Sequence, residues 1–190
     1  MSLRVSILAA ADAVEAARDE LCRLDAAAGD GDHGVTMALA ARNVRKALAD
    51  SPDAEGADLV TKVAMAVGSV GGAAGPVYAS AILAVASVMR SDPAAPLLAH
   101  AEAAEKAISN LGHAKPGDKT ILDALHPAVE ALRADDDARS AADAARAGAE
   151  ATAEMVTTVG RASRLGERSR GLADPGATSL ALILDALAGT

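Results

Sequence analysis

Residues 3–24, LRVSILAAADAVEAARDELCRL, decide the fold: Leu3, Ile7, Ala10, Val14, Ala17, Leu21 and Leu24 step alternately by four and three residues and share one helical face. The spacing predicts one long first helix. The same stepping returns in Leu59, Val63, Ala66 and Val70, in Val77, Ala81, Ala84 and Val88, and in Leu180, Ile183, Leu184 and Leu187. No stretch alternates convincingly at period two. Breaks rich in Gly, Pro, Asp or Ser fall at 29–34, 51–56, 71–76, 91–96, 112–117, 134–137 and 166–176. They leave about eight amphipathic helices with short connections, which pack as antiparallel neighbours in an all-α up-and-down bundle or closed barrel. A parallel sheet is excluded.

A chain of 190 residues suits a single domain spanning 1–190. Apolar residues make up 51%, yet Phe and Trp are absent and Tyr78 is the one tyrosine, so the core must be built from Leu, Val, Ile, Met and Ala. Any adenine ring held here would be clasped by aliphatic side chains, with Tyr78 the one aromatic available for stacking. The net charge of −8 opposes nucleic acid and anionic membranes, and neither is expected as a partner. Cys22 has no second cysteine to pair with, and its place in a helical run suits a small apolar filler in a reducing compartment. With no uninterrupted apolar run of about 18 residues and no signal-peptide order at the N-terminus, the expected location is the cytoplasm.

The glycine-rich breaks recur at about every second connection, so in an antiparallel arrangement they gather at one end. Glycine lets a ligand approach the main chain closely, and that rim is expected to bind something. Its strongest signal is Leu24-Asp25-Ala-Ala-Ala-Gly29-Asp30-Gly31-Asp32-His33-Gly34. Asp25 falls near the end of the first helix, and Asp30 and Asp32 flank Gly31, so three carboxylates can converge. Unpaired they would repel, and their hard oxygen ligands suit Mg²⁺ bridged to phosphates. The plainer alternative makes Asp30 or Asp32 a helix cap and Asp25 a solvated residue. An EF-hand is excluded, because Val35 stands at the sixth position from Asp30 and Ala41 at the twelfth.

His33-Gly34-Val35-Thr36 opens the next helix, where free amides and the helix dipole favour an anion, with His33 a further donor. Gly71-Gly72-Ala73-Ala74-Gly75-Pro76 enters another helix, with Pro76 suited to its first position, and offers a second cradle or simply a tight helix crossing. Gly112-His-Ala-Lys-Pro-Gly117-Asp-Lys-Thr120 imitates a P-loop, but Asp118 intrudes between Gly and Lys and a helix precedes it. Asp118 is expected to cap the sixth helix, with Lys115 and Lys119 solvated near the rim. At the last connection Asp174 is the expected N-cap and Pro175 the first helical residue, while Arg161 suits a phosphate clamp.

Taken together, these residues resemble the nucleotide-binding L subunit of bacterial dihydroxyacetone kinase. From about Leu24 onward, Gly-Asp-Gly-Asp-His-Gly, Gly-Gly-Ala-Ala-Gly-Pro, Lys-Pro-Gly-Asp-Lys-Thr, and Gly-Arg-Ala-Ser through Leu-Gly-Glu-Arg-Ser to Asp-Pro-Gly-Ala-Thr-Ser occur in the family's order. The resemblance implies a barrel of eight antiparallel helices with ADP or ATP at one rim. Two Mg²⁺ ions would be held by Asp25, Asp30 and Asp32. Phosphate contacts would fall on His33, Gly34, Val35, Thr36, Ala73 and Ala74; Gly112 and Ile121 would line the adenine side. Arg161, as the catalytic clamp, and Asp174, Pro175 and Gly176 would close the site.

Two departures stand out: Ala74 replaces the usual Ser, removing a hydroxyl contact to phosphate, and His113 stands where an acidic residue is common. For His113 we have no mechanistic account. The implied activity is phosphoryl transfer to dihydroxyacetone held by a separate K subunit, with a phosphohistidine carrier of M type as a further partner and a homodimer left open. Related readings are a subunit of a short-ketose or tetrulose kinase, the nucleotide-binding domain of a fatty-acid kinase, or a nucleotide-binding regulator without turnover.

Overall fold

The computed structural model describes residues 2–27, 29–159, 166–167 and 169–189. Among them are nine α-helices and no strand: α1 Leu3–Ala16, α2 Arg18–Ala26, α3 His33–Ala49, α4 Gly56–Gly68, α5 Ala74–Ser91, α6 Leu97–Gly112, α7 Leu122–Asp135, α8 Ala138–Ala151 and α9 Pro175–Ala188. The expected long first helix is divided at Ala17 into α1 and α2. That bend falls where α3 comes closest: a Cβ on Gly34 would lie 1.9 Å from the Arg18 carbonyl oxygen and 2.9 Å from Cys22 Sγ. With α1 and α2 counted as one bent rod, the eight predicted helical segments are all present.

Each helix packs against its neighbours in the chain, and α9 returns against α1 to close the ring. The alternating connections separate into two ends. At one end Arg4 donates to the carbonyls of Leu48, Ser51, Pro52 and Ala54, and Leu98 N donates to Asp136 Oδ1. At this end Asp137 caps α8 by accepting from Ser140 N at 2.8 Å, so the Asp135–Asp137 run is the inter-helix turn expected of it. The glycine-rich connections lie at the other end.

Small side chains set the packing distances. Pro127 has no N–H for the Asp123 carbonyl one turn earlier, and α8 passes there so closely that a Cβ on Gly148 would sit 2.2 Å from that oxygen. Inside the ring, aliphatic side chains of α1, α3, α4, α5 and α9 border an apolar cavity of about 250 Å³. A core without Phe or Trp has no side chain large enough to fill it. Helix α5 alone among the described helices has the length and apolarity to cross a membrane, and it is packed in the ring between α4 and α6.

Candidate functional site

The glycine-rich rim is organised around Asp25, on the last turn of α2. Its Oδ2 accepts from the backbone N of Asp32 at 2.9 Å and of His33 at 3.1 Å, tying the loop that follows α2 to the start of α3. Asp32 occupies the N-cap position of α3 but makes no side-chain capping bond, so the capping oxygen comes from Asp25. A Cβ on Gly29 would stand 2.3 Å from Asp25 Oδ1 and push that carboxylate aside, and Gly31 turns the chain at φ 76°.

The loop brings Asp30 and Asp32 back onto Asp25. One oxygen from each of the three carboxylates lies within 4.8 Å of the others, with Asp25 half-buried and the other two exposed. Three hard anionic donors at this spacing fit a hard divalent cation, which would relieve their mutual repulsion. They face a cleft of about 150 Å³ whose other walls are His33, Thr36 and the chain from Gly71 to Ala74. The first amides of a helix lack intrahelical partners, and among the described residues those of Gly34 and Val35 have no acceptor. The rim therefore sets three converging carboxylates beside two helix N-termini, an arrangement suited to a metal-bound phosphate.

His33 turns its ring toward α9 and not simply outward: Nε2 lies 2.9 Å from Ser179 Oγ, which lies 2.8 Å from the Tyr78 hydroxyl. Burial pushes the imidazole below its ordinary value, opposed by the negative charge of Asp25 and Asp32. The Tyr78 hydroxyl, raised by burial, donates in turn to the Gly176 carbonyl at 3.3 Å. Tyr78 thus joins α5 to α9 through a hydrogen-bonded chain that no local pattern in the sequence marks.

On the far side of the rim, Asp174 caps α9 by accepting from Ala177 N at 2.7 Å, and Pro175 is the first helical residue, both as expected. Desolvation raises the Asp174 carboxyl to about 6, with the negative charge of Asp123 adding to it. Ile121 is buried against this turn: a Cβ on Gly176 would lie 3.7 Å from Ile121 Cβ. Gly112 ends α6 at the open surface. Arg161 lies outside the described residues.

Three expectations need correction. Asp118 does not cap a helix: it is buried, accepts from Lys115 N at 2.9 Å and Thr158 Oγ1 at 2.6 Å, and these bonds, Thr158 first, hold it below the usual carboxylate range. In the first turn of α7 it is Asp123 whose carboxylate accepts from the preceding turn, from Gly117 N and Thr120 N at 2.5 and 2.7 Å. Lys119 is buried, at 5% exposure, not solvated. Pro76 is the third residue of α5, because the helix already begins at Ala74.

An all-helical ring with a carboxylate-lined, amide-rich rim is the class that fold and geometry define. The chain belongs to the DAK2 domain family, whose model matches residues 27–189. It is 38% identical over 173 residues to the ADP-binding subunit DhaL of PEP-dependent dihydroxyacetone kinase 1 of Listeria innocua, covering 90% of this chain and 86% of that protein. It is 40% identical over 189 residues to D-erythrulose kinase of Mycolicibacterium smegmatis, covering 92% of this chain but 32% of that protein. The dihydroxyacetone kinase of C. freundii in complex with AMP-PNP and Mg²⁺ superposes with a TM-score of 0.79 at 28% identity, over 98% of this chain and 33% of that one. The chain thus spans about a third of the latter two proteins and most of the first.

Proposed function

We propose that this chain is the ADP- or ATP-binding subunit of a dihydroxyacetone kinase, a phosphotransferase acting on an alcohol, and that it forms one functional unit over 1–190. The observation that carries this reading is the convergence of Asp25, Asp30 and Asp32 opposite the Gly71–Ala74 chain, in a chain that matches an ADP-binding subunit over 90% of its residues and 86% of that protein. Asp25, Asp30 and Asp32 would hold Mg²⁺, two ions in our reading, which neutralises phosphate charge when bound. The amides at the start of α3 and those of Ala73 and Ala74 bind the phosphates, and His33 orients that first turn through Ser179. Gly112 and Ile121 line the adenine side, and Asp174, Pro175 and Gly176, packed beside Ile121, close the site. Arg161 clamps the transferred phosphate. Phosphoryl transfer needs placement and charge neutralisation more than covalent chemistry, so these groups suffice for one half of the reaction.

The other half is a ketone held in line with the phosphate, which we assign to a separate K subunit; a phosphohistidine carrier is the proposed source of phosphate when nucleotide stays bound. The cytoplasm is the proposed location. Erythrulose kinases among the relatives favour a tetrulose as the alternative substrate, chosen by the partner. The test is product formation from dihydroxyacetone by the purified chain, with and without a K-type subunit, supplied with Mg²⁺-ATP or a phosphocarrier. Turnover only in the mixture is expected, reduced by Arg161→Ala; robust turnover by the chain alone contradicts the half-enzyme assignment.

A further inference from the structure

The Lys115–Thr120 turn is not used by the chemistry above, yet it carries two unfavourable features at one residue. Lys119 adopts a left-handed backbone, φ 60°, without being glycine, and its ammonium is buried. Features of this kind persist where the surroundings over-determine them, and they mark constrained sites. Here the surroundings are the connection between α8 and α9. Lys119 Nζ donates to the Met155 carbonyl at 3.2 Å and to the Ser169 carbonyl, so one ammonium joins the two ends of that connection. The neighbouring Asp118 carboxylate takes the Thr158 hydroxyl, and its carbonyl takes Thr158 N at 3.3 Å. Ser169 Oγ is in turn bonded by Thr157 N at 3.0 Å.

We propose that Lys119 is a positioning residue that locks the α6–α7 turn to the α8–α9 connection and so holds Ile121 in place against the Asp174–Gly176 turn. This rests on the nucleotide reading, in which these two packed segments together border the adenosine end. The carboxylate cleft is fixed separately, by Asp25 bonding to Asp32 N and His33 N. Loosening Lys119 therefore spoils one end of the nucleotide and spares the other. Burial lowers the affinity of the ammonium for its proton, while the negative charge of Asp174 nearby opposes that, consistent with a cation held for its hydrogen bonds.

The test compares Mg²⁺-ADP with Mg²⁺-pyrophosphate by calorimetry on the full chain, for the parent, Lys119→Met, Lys119→Arg and Thr158→Val. Lys119→Met should weaken ADP by about tenfold or more and leave pyrophosphate within roughly twofold. Lys119→Arg, which keeps a cation for the two carbonyls, should recover part of the loss. Thr158 is exposed, so Thr158→Val keeps the fold and should show a smaller loss of the same ADP-selective kind. The proposal is overturned if Lys119→Met binds both ligands as the parent does, or if it weakens both equally. Should Lys119→Met fail to fold, unchanged ADP affinity in Thr158→Val overturns it instead. A parent chain that binds neither ligand refutes the nucleotide reading itself, a separate outcome.

Discussion

At Asp174 two demands conflict. Its carboxylate caps α9, which favours the ionised form, yet desolvation and the nearby Asp123 raise it from an ordinary 3.8 to about 6. A carboxyl raised in the folded state binds its proton more tightly there than in the unfolded chain. Its stabilising contribution is therefore complete below about pH 4 and is lost as the pH rises to about 6. Asp174→Asn keeps a capping oxygen without the charge. The variant should be more stable than the parent at pH 7, by at most about 3 kcal/mol, with the difference vanishing near pH 4 in denaturant titrations. A variant less stable at pH 7 would show that the cap outweighs the desolvation. Asp30 and Asp32 are exposed loop residues, so Asp30→Ala or Asp32→Ala should leave a cooperative helical fold. Each should abolish the stabilisation of about 2.7 kcal/mol that Mg²⁺-ADP gives at a hundred times its Kd, measured as a thermal shift. Unfolding of either variant without ligand would make the carboxylate structural.

At the scale of elements, the helices were legible because a period of three and four residues survives in an alanine-rich chain wherever Leu, Ile and Val mark the inner face. The break at Ala17 was not, since no Gly or Pro marks it. It coincides with a tertiary contact, the approach of Gly34 to Arg18, that no local pattern carries. The same contact makes a prediction: in Gly34→Ala the new methyl meets backbone, which has no rotamer to yield, so α2 and α3 must part. A loss of about 2–4 kcal/mol in denaturant unfolding is expected; a neutral outcome would mean that the α2–α3 joint gives way freely. The burial of Lys119 has no local signal for a related reason. A Lys-Pro-Gly-Asp-Lys stretch has the composition of an exposed turn, and the carbonyls that take the buried ammonium come from Met155 and Ser169, far along the chain. Asp25, Asp30 and Asp32, by contrast, lie close in sequence, so their convergence needed only one tight turn. The Tyr78–Ser179–His33 chain joins three helices and had no sequence signal.

At the scale of the molecule, a composition without large aromatics yields a ring of helices around an apolar void, and the alternation of plain and glycine-rich connections gathers the glycine-rich ones at one end. The central claim is that a divalent ion mediates nucleotide binding at this rim, because three carboxylates and a pair of phosphates repel unless positive charge lies between them. Calorimetric titration of the purified chain with ADP, in excess Mg²⁺ and again in excess chelator, tests it most directly. Saturable binding with Mg²⁺ and none with chelator is the predicted result; equal affinity in both would contradict the account.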